Sequence, residues 1–200
     1  MTTNYTVTDK DLGYARPHKM GNRLWGVTFA MAIMAFPVAL VLAFVRAATV
    51  ADASGPADIE DAARLGHLIA AFGFIGFGAV FASISFAIAR ILGRFRKGGG
   101  EVQEAAGGKV HTLRMPVTAK VLIAFMAMGM MAIFGAVALH FVAAAAVGTW
   151  SLESIARWAE VLEAVRRLGV ALYLFGIAIG LGAVITVVRF QTVRLGQLTR

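Results

Sequence analysis

Four long stretches of this chain carry no Asp, Glu, Lys or Arg. They are Leu24 to Val45, Leu65 to Ala89, Val121 to about Thr149, and Leu168 to Val188. An α-helix rises about 1.5 Å per residue, so roughly 20 apolar residues cross a hydrocarbon core of about 30 Å. Each stretch meets that length. In lipid, a single segment must satisfy its own backbone hydrogen bonds, which makes each one a helix. The chain therefore reads as an all-α integral membrane protein, a four-transmembrane-helix bundle. With 59% hydrophobic and 15% charged residues among 200, it departs from soluble composition in the direction a membrane requires. The first stretch contains Pro37, where a kink is expected. Residues 1–23 are polar and the first apolar stretch is long, so no cleaved signal peptide is expected.

Basic residues set the direction. Lys10, Arg16, Lys19 and Arg23 precede the first span. Seven more, Arg90 to Lys120, lie between the second and third, and Arg189, Arg194 and Arg200 follow the fourth. With four spans these segments share one side and hold 14 of the 19 basic residues. Under the positive-inside rule that side is cytoplasmic, with both termini there. The net charge of +8 is then a topology signal and a match to anionic lipid head groups, and no nucleic-acid partner is expected. A bacterial cytoplasmic (inner) membrane is the expected location.

The organisation follows: residues 1–23 as a cytoplasmic segment, 24–92 as a first hairpin, 93–117 as a cytoplasmic linker, 118–188 as a second hairpin, and 189–200 as a cytoplasmic tail. Gly98, Gly99, Gly100, Gly107 and Gly108 mark the linker as flexible. It lacks the Lys-Ser/Thr of a phosphate-binding loop. Asp58 is placed to cap the second span. Within 150–166, Ile155, Trp158, Leu162 and Val165 share a helical face, which predicts a short helix lying in the outer interface.

The hairpins resemble each other. Phe44-Val45-Arg46-Ala47-Ala48-Thr49-Val50 aligns with Phe141-Val142-Ala143-Ala144-Ala145-Ala146-Val147, and Arg64-Leu65-Gly66 with Arg167-Leu168-Gly169. Two tandem two-helix repeats would be related by a pseudo-two-fold axis along the membrane normal. Gly66 and Gly73 on the second span, and Gly169, Gly176 and Gly180 on the fourth, are expected to bring helices close.

The chemistry-bearing inventory inside the spans is short. Without intramembrane charge, a proton-coupled transporter, pump or voltage sensor is disfavoured. Thr28, Ser83, Ser85, Tyr173 and Thr186 lack a catalytic partner in sequence. Cysteine is absent. The methionines read as packing residues, and His18 and His111 as solvated cytoplasmic groups. His67 and His140 remain, each about three residues inside the outer boundary. Two imidazoles at matched depth, flanked by small residues, could serve as axial ligands of a tetrapyrrole, haem b or a chlorin. The other reading is a structural interhelical hydrogen bond. We expect a small non-catalytic subunit of a larger membrane complex, with a structural, stabilising or assembly role. The alternative is a cytochrome-b-like or pigment-binding electron-transfer subunit using His67 and His140. The expected associates are the lipid bilayer, bound lipid and other membrane subunits. No soluble small-molecule substrate is indicated, and no cofactor is expected under the first reading.

Overall fold

The structure, a computed structural model, describes residues 2–4, 16–108, 110–113 and 117–198. Expectations resting on Lys10, Lys109, Arg114 or Arg200 lie outside the described residues. The chain forms four long helices: α1 (Arg16–Ala51), α2 (Pro56–Ala105), α3 (Val117–Ala146) and α4 (Leu152–Leu198). All four are long and apolar enough to cross a membrane. The fold is a four-helix bundle and the chain a membrane protein by that measure. A three-residue strand β1 (Thr2–Asn4) pairs antiparallel with β2 (His111–Leu113), Thr3 opposite Thr112, and an isolated bridge joins Val147 to Trp150.

Local signals explain the helix ends. Pro56 occupies the first position of α2, where its missing N–H costs nothing. Asp58 reaches back and accepts hydrogen bonds from the N–H of Ser54 (2.8 Å) and of Gly55 (3.1 Å), as a carboxylate at the third helical position does. Ser151 caps α4, its Oγ accepting from Ser154 N–H at 3.2 Å. Pro37 sits within α1.

Two expectations are corrected. The stretch 98–105 is helical and continues α2, where a flexible linker was expected. Glycine at 99 serves close approach instead of mobility: a side chain there would collide with Gln191 and Arg194 of α4. Those two side chains donate to the Phe95 carbonyl at 3.1 Å and the Arg96 carbonyl at 3.4 Å. Helix α2 then stops in a Schellman turn. Gly107 has φ +69°, Gly107 N–H donates to Glu104 O and Gly108 N–H to Gln103 O, both at 2.9 Å. Second, the 150–166 segment is helical but not separate. It runs without a break into the fourth span, because no proline and no glycine before Gly169 interrupts it.

The chain divides into two compact units: residues 1–26, 83–126 and 174–200, and residues 27–82 and 127–173. In the first, Gly176 of α4 sits where a Cβ would meet Met126 Cε at 2.5 Å and Phe125 Cβ at 3.2 Å of α3. Ser83 Oγ donates to the Trp25 carbonyl at 3.0 Å. In the second, α3 and α4 touch at Gly129 and Gly169: a Cβ on Gly129 would fall 2.9 Å from Tyr173 Cδ2, and one on Gly169 2.9 Å from Ile133 Cγ1. Small residues at such seams let backbones approach and raise van der Waals contact, which drives association where lipid is as apolar as the helix. Tyr173 is fully buried, stacked on Phe81 at 5.1 Å between ring centroids.

Candidate functional site: a histidine pair in a charged-edged cavity

Helix α2 carries His67 and α3 carries His140, and the fold brings the two rings together in the second unit. Their Nδ1 atoms are 3.0 Å apart, with ring centroids at 5.3 Å. Both are buried, 5% and 4% exposed. One Nδ1 must carry hydrogen and the other must accept, because a neutral imidazole has one of each. The two outer nitrogens are therefore complementary: whichever ring keeps hydrogen on Nδ1 has a bare Nε2, and its partner has Nε2–H. His140 Nε2 is buried and makes no hydrogen bond among the described residues. Phe74 packs across the His140 ring at 5.0 Å and 73°.

The pair lines a cavity of 660 Å³. Helix α2 contributes one face of itself, Ala63, Gly66, His67, Ala70, Gly73, Phe74 and Phe77. These positions follow the three- and four-residue steps of a helix and cover about 21 Å along its axis. Ile155, Ala156, Ala159, Glu163 and Arg166 form the wall from α4, and Arg46 joins from α1. Gly73 has nothing within 4 Å of a built Cβ, and Gly66 has only the Arg46 side chain. Both were expected on a packing seam. Gly73 instead opens the cavity wall, while Gly169, Gly176 and Gly180 do pack.

The charged residues are what the sequence reading missed. Glu163 and Arg166 belong to the segment assigned to the outer interface, yet continuity of α4 carries them to the histidine site. Glu163 is bound by Arg166 and by Arg167 Nε, the latter at 3.1 Å. The Arg166 guanidinium also lies over the Phe74 ring at 5.4 Å. Arg46 Nε donates to the Ala62 carbonyl at 3.0 Å. The available signal was the helical spacing of Glu163, Arg166 and Arg167 on a segment with no breaker before the fourth span.

The remaining candidates have other partners. His18, read as solvated, is half-buried with Nδ1–H donating to the Ala89 carbonyl at 2.8 Å. Ser85 Oγ contacts Met126 Sδ at 2.6 Å, and Thr186 bonds the Gly182 carbonyl of its own helix. Among the described residues, no group of three His, Asp or Glu is arranged to hold a metal ion. The pair with its cavity can bind and orient a ligand and can pass a proton between two rings. Comparison of the chain with family models, with curated proteins and with solved structures finds no match.

Proposed function

We propose that this chain is a small, non-catalytic subunit of a larger membrane protein complex, with a structural, stabilising or assembly role. We place it in a bacterial cytoplasmic membrane with both termini cytoplasmic. The observation that carries this reading is the exposure of α1. Only 11% of its most apolar stretch is buried within the chain, against 39% for α2. Met34 is 71% exposed and Phe44 68%, while Ala32 and Ala35 make a narrow inner line. A helix held so lightly by its own chain is well placed to pack against neighbours. Duplication of a two-helix unit is part of this proposal. It is supported by the matching order of a shorter helix and a longer one, 36 and 50 residues, then 30 and 47.

The test is photocrosslinking in native membranes from probes at Met34 and Phe44. A discrete protein adduct is expected, with none from buried Ile133. Lipid adducts alone at both α1 positions would end the reading. Reporter fusions after residues 20, 105 and 195 should read cytoplasmic, and near 55 and 155 external. A cytoplasmic reading at 155 would sink the four-span arrangement.

The alternative, a cytochrome-b-like or pigment-binding subunit with His67 and His140 as axial ligands, needs the pair to part. The two rings now use their Nδ1 atoms on each other, 3.0 Å apart, and would have to separate to hold one metal between them. An absorption spectrum tests it: a Soret or far-red band supports the alternative, a featureless visible spectrum the subunit reading.

A further inference from the structure

The cavity beside the histidine pair has a composition that asks for a ligand. Most of its wall is apolar, including Ile69, Phe77, Ile155 and Ala159. An apolar chain therefore fits along it. The 11 residue steps from Gly66 to Phe77 span about 16 Å of helix, close to half the hydrocarbon thickness of about 30 Å. Water would be a poor occupant of such walls.

The charged groups on the wall sum to a net positive charge. Arg46 and Arg166 are permanent cations. The carboxylate Glu163 is already engaged by two arginines, so it leaves the set net positive. Arg46 spends Nε on the Ala62 carbonyl, and among the described residues its terminal nitrogens form no ion pair. His67 bonds through Nδ1, and in the tautomer pair where His140 Nδ1–H is the donor, His67 carries its hydrogen on Nε2. An acceptor oxygen would select that arrangement. Guanidinium and imidazole donors over an apolar trough recognise an anionic head on an acyl chain. A neutral headgroup would make no use of the two cations.

We propose that this cavity binds an anionic amphiphile: an acyl chain laid along the Gly66–Gly73–Phe77 face of α2, with its phosphate or carboxylate held by Arg46 and Arg166 and hydrogen-bonded by His67. The shared chemistry is an acidic head on a chain, supplied by an anionic phospholipid or a free fatty acid. The site is independent of the subunit proposal and stands or falls by itself.

Gly73 supplies a clean test. Nothing lies within 4 Å of a Cβ there, so the side chain of Gly73→Leu starts in open space and is expected to fill the trough. Delipidated full-length protein in neutral detergent is titrated with phosphatidylglycerol, oleate, phosphatidylcholine and a short-chain quinone, with bound ligand counted by native mass spectrometry. One anionic molecule per chain is expected, and whichever anionic probe saturates at the lower concentration identifies the source. Gly73→Leu should weaken that binding tenfold or more while the ligand-free melting temperature holds. Arg46→Gln should weaken it severalfold, and Arg46→Lys should recover part of the loss. Phosphatidylcholine or the quinone binding as tightly as the anionic probes would overturn the proposal. So would a Gly73→Leu variant whose affinity stays within twofold of wild type.

Discussion

The Nδ1 atoms of His67 and His140 face each other at 3.0 Å across two helices, so one shared proton makes the bond. Removing either ring removes the same interaction. His67→Ala and His140→Ala should therefore be non-additive, the double variant being more stable than the sum of the singles allows. The coupling should be about 0.6 kcal/mol, up to roughly 1.7, as for other polar contacts between membrane helices. A double-mutant cycle of unfolding in mixed micelles checks it; strict additivity would mean the bond is not formed.

Gly73 and Gly176 look alike in the sequence and should behave oppositely. A side chain at 176 meets Met126 and Phe125, so Gly176→Leu should cost about 1–3 kcal/mol by overpacking. Gly73→Leu points into open space and should leave stability unchanged or raise it, because glycine is a poor helix former. Thermal melts in detergent separate the two, and equal losses would contradict the placement of Gly73.

Adjacent glycines 98 and 99 give a second such contrast. Gly98 has nothing within 4 Å of a Cβ, so Gly98→Ala should stabilise α2 by up to about 1 kcal/mol. Gly99→Ala should lose that gain, because Gln191 and Arg194 must swing away from the Phe95 and Arg96 carbonyls. Hydrogen exchange at the end of α4 should rise in the second variant and not in the first.

Tyr173 is buried with a hydroxyl that makes no hydrogen bond among the described residues. Burying an unbonded hydroxyl costs about 1–3 kcal/mol, so Tyr173→Phe should be neutral or stabilising. Tyr173→Ala should lose about 3–5 kcal/mol through the cavity it leaves beside Phe81 and Gly129. A marked loss in the Phe variant would show that the hydroxyl has a role.

The spans were legible because charge cannot enter lipid cheaply: Arg46, Arg64 and Arg167 mark where apolar runs begin or end. The lengths of the helices were not. Outside the hydrocarbon, polar helix formers such as Glu153, Arg157 and Glu160 continue a helix as well as apolar ones do, and nothing in composition separates an interfacial helix from the extension of a span. That same ambiguity hid the site. Both histidines stood out as polar groups in apolar runs, but their contact depends on how α2 and α3 are rotated, and Glu163 and Arg166 join them only because α4 is unbroken. Glycine identity showed where side chains are absent. Whether the vacated space holds a helix, as at Gly176, or stays open, as at Gly73, is decided by tertiary packing alone.

Helix α2 has 50 residues and α4 has 47, which makes them about 75 and 70 Å long at 1.5 Å per residue. A hydrocarbon core takes about 30 Å of that. More than half of each helix therefore stands in head groups or water. Neither has a proline inside it, the usual cause of a sharp bend. The residue count of each helix thus fixes how much of it acyl chains can cover and how much head groups and water must solvate.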